Sequence, residues 1–266
     1  MPTLRAVTLN LWGEQPPLEK RMALAEAGLR ALAPDVIALQ EVRAIPGTLP
    51  NQAETLAAAL GMEFHFAPAT PWGGGVEGLA ILSKHPITAR ADRELPHAVP
   101  TERRIVLAVT IATPSGPLQA FTTHLNYRLA DGAKREAQVF AVEETAAAVE
   151  SELPKLILGD FNATPDSDEL RYLRGLCSLN GKRVYWQDAF ARVHPNETGY
   201  TWARRNPFTE RLRFLDPDRR LDYIFVSPVR RDGRGTVEDC RIVLDQPDGE
   251  GVFASDHFAV LADVTI

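Results

Sequence analysis

Apolar and polar residues alternate from Leu4 to Trp12, a strand pattern that delivers Asn10 at its end. Beyond the loop Gly13–Pro17 the period lengthens. From Leu18 on, Met22, Ala25, Leu29 and Leu32 recur at helical spacing until Pro34 stops them. Asp35 to Glu41 is apolar in the middle and reads as a second strand ending on Glu41. Asn51 to Leu60 is an alanine-rich helix closed by Gly61, and Met62 to Phe66 is a strand. A loop Pro71–Gly75 leads to a strand from Gly78 to Leu82. Arg104 to Thr113 and Leu118 to Leu125 are β-rich and joined by Pro114-Ser-Gly-Pro117, which predicts a hairpin with His124 near its far end.

Lys134 to Glu150 is helical, with Val139, Val142, Ala146 and Val149 on one face. Lys155 to Leu158 reads as a buried strand ended by Gly159. Thr164 and Pro165 suit the N-cap and first position of a helix over Asp166 to Leu173. Residues 175 to 220 are irregular and rich in arginine, proline and aromatics. The last three strands are Leu221 to Ser227, Val237 to Leu244 and Phe258 to Ile266.

Strands interspersed with helices, and hairpins among them, predict an α+β fold with a mixed or mostly antiparallel sheet. No repeat or shift in composition marks a boundary, so residues 1–266 are expected to form one domain. With 266 residues, 45% of them hydrophobic, the chain can bury a large core. Two cysteines, Cys177 and Cys240, are too few for a disulfide framework and lie in no metal-binding spacing. Met1–Arg5 leads straight into the first strand and no apolar run spans a bilayer, so no membrane insertion and a cytoplasmic location are expected. The net charge of −6 argues against an avid, sequence-blind grip on a polyanion, though not against turnover of one. No protein partner is legible.

Chemistry enters through position. Asn10, Glu41, His124, Asp160 with Asn162, and Asp222 stand at or beside the ends of apolar β runs, and Ser255-Asp256-His257 precedes another. If pairing continues past Gly159, a period of two puts Asp160 and Asn162 on one face. Taken singly, each has a plainer reading: a turn former for Asn10, a surface acid for Glu41, a core histidine for His124, a capping turn for Asp256-His257. Asp222, inside Arg219-Arg-Leu-Asp-Tyr-Ile-Phe225, needs a partner if buried. Loops at one sheet edge are where sites are built. Carboxylates gathered there would repel one another unless a cation or shared protons neutralised them, and oxygen ligands suit magnesium or manganese.

In order, Leu9-Asn10, Leu39-Gln-Glu-Val42, Thr123-His-Leu125, Gly159-Asp-Phe-Asn162, Arg220-Leu-Asp-Tyr-Ile224 and Ser255-Asp-His257 resemble the signature of the endonuclease/exonuclease/phosphatase superfamily. The resemblance implies a four-layer α/β/β/α sandwich and magnesium-dependent cleavage of a phosphate ester. It implies Glu41 as principal metal ligand assisted by Asn10 and Asp256, and His257 as general base held by Asp222. Asp160 would position water or a second ion and is the rival base. Asn162 would donate to a phosphate oxygen. His124 would stabilise the transition state or assist the leaving group. Glu77, in Glu77-Gly-Leu-Ala-Ile-Leu-Ser83, is similar to an acid that pairs with that histidine in the family. Abasic-site endonucleases carry tyrosine where His124 stands and follow the first Asn with an Asn-Gly type of turn absent from Leu11-Trp-Gly13. The deoxyribonuclease-, sphingomyelinase- and phosphatase-like branches are therefore favoured.

The substrate is less legible. Arg204, Arg205, Arg211, Arg213, Arg219 and Arg220 lie near Trp202 and Phe208 and could grip phosphate and stack a ring. Equally, they form a solvated loop balanced by Glu210, Asp216 and Asp218. Arg103, Arg104 and Trp72 are further candidates. The leading expectation is a phosphodiesterase acting on nucleic acid or a nucleotide-like diester. A phosphomonoesterase or a phospholipid-type phosphodiesterase is the alternative. A silent binding module is disfavoured because every motif residue is present.

Overall fold

The computed structural model describes residues 1–210 and 217–266. The first half of the chain runs β1 (Thr3–Asn10), α1 (Leu18–Leu32), β2 (Val36–Ala44), α2 (Gln52–Leu60), β3 (Glu63–Trp72), β4 (Gly75–Ser83), β5 (Ile87–Glu94), β6 (Ile105–Thr113) and β7 (Gly116–His124). The second runs α3 (Gly132–Ala147), β8 (Leu156–Asp160), α4 (Asp168–Leu173), β9 (Gln187–Asp188), α5 (Ala189–Val193), β10 (Asp222–Val226), β11 (Val237–Val243) and β12 (Ala259–Thr265).

These strands form two six-stranded sheets, ordered β11-β12-β1-β2-β4-β3 and β5-β6-β7-β8-β10-β9. Each contains one parallel pair, β1 with β2 and β7 with β8, among antiparallel neighbours. Alternation along the strands decides the layering. Leu4, Ala6, Val36, Ala38 and Ile81 of the first sheet meet Leu107, Val109, Leu156, Leu158 and Ile224 of the second in a shared central core. The opposite face of the first sheet packs Val7, Leu9, Ile37 and Leu39 against Ala25 and Leu29 of α1 and Leu56 of α2. The outer face of the second packs Phe121, Ile157 and Phe225 against Val139 and Val142 of α3 and Leu170 of α4. This is a four-layer α/β/β/α sandwich, as the resemblance implies.

Several elements depart from the pattern read in the sequence. β5 was not expected: its alternation rests on Ile87, Ala89 and Ala91 among charged residues, because it is an edge strand exposed along most of its length. β9 and α5 lie in the stretch expected to be irregular; both are too short to show a period. The helix after β8 starts at Asp168 with Ser167 as N-cap, not at Asp166 after Thr164, because Thr164–Ser167 closes as a turn (Ser167 N–H to Thr164 O, 3.0 Å). Among the described residues no helix is long and apolar enough to cross a membrane.

Candidate active site

Strand direction brings the polar residues together. β1 and β2 are parallel, so Asn10 and Glu41 emerge at one edge; β7 and β8 are parallel, so His124 and Asp160 emerge at another, in register with each other. β10 runs antiparallel to β8 and starts with Asp222 opposite Asp160. β12 runs antiparallel to β1, which places Asp256 and His257, just before its start, beside Asn10. The two edges face each other across the sandwich.

Local backbone features aim the side chains. Gly159 sits at φ 146°, and a Cβ there would fall 2.1 Å from Thr123 O, so only glycine lets β8 approach β7 this closely beneath Asp160. The pairing of β2 with β4 slips between Leu39 and Val42, and Glu41 has φ 51°, so a bulge turns Glu41 out of the ladder toward the cleft. Trp12 (φ 58°) and Asn162 (φ 49°) are also left-handed. Three of the seven non-glycine residues with left-handed backbone among the described residues thus belong to this site, where such strain is commonly held.

Asp160 is the hub. Its Oδ2 accepts from Asn10 Nδ2 at 3.1 Å and lies 3.5 Å from His124 Nε2 and 3.9 Å from His257 Nε2, while Oδ1 accepts from the Asn162 N–H at 2.8 Å. Asn10 Nδ2 also donates to Glu41 Oε1 at 3.0 Å. On the far side of His257, Nδ1–H donates to Asp222 Oδ2 at 2.8 Å, with both residues buried. Asp160, Asp222 and His257 each present a ligand-type atom within 4.8 Å of the others, so this buried cluster could hold a metal ion.

Electrostatics follow from burial and crowding. Burial, then Asp222, pushes Asp160 up to about 7 against His257 and the Asn162 and Asn10 donors. Burial, reinforced by Glu41, pushes Asp256 up to about 7 against His257. Burial and then Glu41 raise Glu77 to about 7 against Arg104 and Arg43. Burial is the largest influence on His257 and opposes its charge, but Asp222, Asp256 and Asp160 together outweigh it and hold the imidazole well above its ordinary value. Burial, Arg104 and His257 push His124 well below, so it is neutral. Carboxyls that resist ionisation around one cleft are short of positive charge, and the oxygen donors of Glu41, Asp160 and Asp256 fit a hard divalent cation.

A cleft of 830 Å³ opens over these residues, lined by Glu41, Glu77, Arg104, His124, Asp160, Asn162, Trp202, Asp256 and His257. Trp72, Tyr127 and Leu129, each more than half exposed, flank it. Asp222 lies beneath the cleft.

Several expectations need correction. Asn10 offers the carboxylates its NH2, which bridges Glu41 and Asp160, while its Oδ1 accepts from the Trp12 N–H at 2.9 Å. Asn162 leaves the strand, and its Nδ2 donates to Leu125 O at 3.1 Å. No hydrogen bond joins Glu77 to His124, although both line a small cavity with Arg104. Arg220 is not on the cleft: it is buried and bidentate with Asp188, at 2.7 and 2.8 Å. Arg204 is tied to Asp218 through its N–H and Nε, and Arg205 to Asp245. Arg211, Arg213 and Asp216 lie outside the described residues. Arg219 does line the cleft, with its guanidinium 5.2 Å from the Trp202 ring centroid.

Gln40 was missed. It receives the Thr8 hydroxyl at 3.2 Å and donates to Thr122 Oγ1 at 3.0 Å, joining the two sheets below Asp160. Its only signal was a buried amide beside Glu41.

The model of the Endonuclease/Exonuclease/phosphatase family matches residues 7–257. The Caenorhabditis elegans protein F14F9.5 is 24% identical over 98% of this chain and 91% of its own length. Among solved structures, an endonuclease/exonuclease/phosphatase from Beutenbergia cavernae is 23% identical, with a TM-score of 0.75 over 100% of this chain and 72% of its own. D. rerio TDP2 complexed with a single-strand DNA product is 18% identical, with a TM-score of 0.78 over 100% of both chains. At these identities the structural likeness is one of fold.

Proposed function

The chain belongs to the endonuclease/exonuclease/phosphatase family, and we propose that it is a magnesium-dependent phosphodiesterase acting on nucleic acid or a nucleotide-like diester. The observation that carries the reading is the arrangement around Asp160 Oδ2: an amide from Asn10 and imidazoles from His124 and His257 all face one carboxylate oxygen, with Asp222 behind His257.

Glu41 and Asp256, with Asp160 within reach, are the residues that would hold magnesium or manganese. Such an ion supplies neutralisation of the phosphoryl oxygens. Asp222 and His257 are read as a catalytic couple, because Asp222 Oδ2 holds His257 Nδ1 at 2.8 Å and a hard ion prefers oxygen to imidazole nitrogen. His257, held protonated against its burial by Asp222, Asp256 and Asp160, would take the proton of the attacking water at Nε2 once the charge of those carboxylates is offset, with Asp222 fixing the ring through Nδ1. Asp160 orients that water; held up to about 7, it is also the competing base. Neutral His124 donates to a phosphoryl or leaving oxygen as the scissile P–O bond breaks. Asn162 has a second amide hydrogen for a phosphate oxygen. Arg104, whose buried Nε has no partner, adds charge from the cleft wall.

Support for a base-bearing substrate comes from the exposed Trp72 and Tyr127 at the cleft, together with Arg128 and Arg219. The DNA product bound by D. rerio TDP2 on the same fold is consistent with it. The test is a panel of plasmid DNA, a single-stranded oligonucleotide, a chromogenic diester, sphingomyelin and inositol polyphosphates, each with magnesium and with chelator. Magnesium-dependent cleavage of the nucleic acid or chromogenic diester is expected. Turnover confined to the lipid or the inositol phosphates, or no turnover, overturns the reading.

A further inference from the structure

Arg21 is fully buried and, among the described residues, meets no carboxylate at ion-pair distance. An ion taken out of water without a counter-ion is costly, so its location calls for a compensating role. Its partners are backbone carbonyls from two loops far apart in sequence. Nε donates to Gln15 O at 2.9 Å, Nη1 to Leu11 O at 2.7 Å and Ala254 O at 3.2 Å. Nη2 donates to Gly13 O at 3.0 Å, Gln15 O at 2.7 Å and Trp12 O at 3.4 Å. The guanidinium also lies 5.0 Å from the Trp12 ring centroid.

Both loops end at the candidate site. In the first, Trp12 and Gly13 take left-handed backbone (φ 58° and 50°), and the Trp12 N–H holds Asn10 Oδ1 at 2.9 Å. That bond turns the Asn10 amide so that Nδ2 bridges Glu41 and Asp160 at 3.0 and 3.1 Å. In the second, Ala254 leads directly into Ser255, Asp256 and His257. One side chain thus ties the segment that orients Glu41 and Asp160 to the segment that carries Asp256.

We propose that Arg21 is a positioning residue for the divalent-cation site, clasping the Leu11–Gln15 loop and the Ala254 segment so that Glu41, Asp160 and Asp256 keep a shared geometry. It rests on the reading that these carboxylates bind a divalent cation. Groups that orient metal ligands typically change affinity about 10–100-fold when lost. Lysine keeps the charge and a single point of donation but cannot reach both loops as a planar fork does.

The test uses Mn2+ as probe, with affinity measured calorimetrically on wild type, Arg21→Met, Arg21→Lys and Glu41→Ala, and melting measured in chelator. Arg21→Met is expected to weaken Mn2+ binding about tenfold or more, and to raise by the same factor the Mn2+ concentration that half-activates turnover. Arg21→Lys should recover part of both. Wild-type Mn2+ affinity in Arg21→Met, with only the melting temperature lowered, overturns the proposal and leaves Arg21 a structural clamp. Hydrogen exchange on the wild type decides the matter even where the variants do not fold. Mn2+ should slow exchange at residues 11–15 and 253–257 together; protection confined to 253–257 overturns the coupling. Wild-type Mn2+ affinity in Glu41→Ala sinks the cation-site reading itself, an outcome distinct from either.

Discussion

His257 donates from Nδ1 to Asp222 across the sandwich: His257 precedes β12 of one sheet and Asp222 opens β10 of the other, and their atoms lie 2.8 Å apart. The bond fixes which imidazole nitrogen faces the cleft, because Nε2 is left 3.9 Å from Asp160. Asp222→Asn keeps the shape but removes the anionic acceptor, which leaves the ring free to take the wrong tautomer. Turnover is expected to fall by about a hundredfold or more, as is that of His257→Ala. Steady-state rates at saturating magnesium, read beside circular dichroism to confirm folding, check this. Near-normal rates in both variants would remove His257 from the chemistry.

Glu41 separates catalysis from stability. Its charge helps raise both Glu77 and Asp256, so among the protein groups alone it is a source of repulsion. Glu41→Gln should abolish magnesium-dependent turnover and leave the melting temperature in chelator unchanged or higher. A variant that loses stability while keeping activity would show that Glu41 is structural.

The same crowding fixes a pH dependence. Glu77, Asp160 and Asp256 are pushed up to about 7, above their values in an unfolded chain. Groups raised in this way contribute stability that is complete below the unfolded carboxylate range, near pH 4, and is lost as pH climbs through 7. In chelator, melting temperature should therefore decline between pH 5.5 and 8. Magnesium, which binds the ionised carboxylates, should raise it more at pH 8 than at pH 5.5. At a hundredfold excess over its dissociation constant the linkage is worth about 2.7 kcal/mol. Scanning calorimetry at the two pH values with and without magnesium measures it, and equal magnesium shifts at both would count against the carboxylate site.

Legibility in the sequence followed the apolar runs. Asn10, Glu41, His124 and Asp160 could be found because each ends a run long enough to show its period, and parallel pairing then brings the ends together. Arg21 could not be found that way, although the signal was present. The buried stripe of α1 is Arg21, Ala25 and Leu29, spaced by four, so a charge occupies the first position of an otherwise apolar face. The stripe taken from Met22 passed over it. The arginines after residue 200 misled for a related reason: composition gives charge, not direction. Arg204, Arg205 and Arg220 point at Asp218, Asp245 and Asp188, partners 14, 40 and 32 residues away.

Arg104 and Arg220 make the distinction testable, since both were candidates for substrate contact and only one faces the cleft. Arg220 and Asp188 are 4% exposed each and bound through the two terminal guanidinium nitrogens. Arg220→Met removes the bidentate partner of a buried carboxylate and leaves it the Ala191 N–H at 3.2 Å and Arg174 at 3.9 Å, a change that costs about 3 kcal/mol. It should lower the denaturation midpoint sharply, and whatever folds should retain the wild-type KM. Arg104 has one ion-pair partner, Glu102 at 3.3 Å, and its Nε is unpartnered at the wall of the cleft beside His124. Arg104→Met keeps much of the side-chain volume, but Glu102 loses its ion pair and Glu77 a nearby cation, so stability should fall, though by less than in Arg220→Met. KM for a phosphodiester should rise by about ten- to a hundredfold, the effect of losing one charge-assisted hydrogen bond of about 1.5–3 kcal/mol. Urea denaturation and steady-state kinetics on the two variants give distinct signatures. If Arg220→Met raised KM with stability intact, or Arg104→Met unfolded the chain with KM intact, the assignment of the two arginines would be reversed.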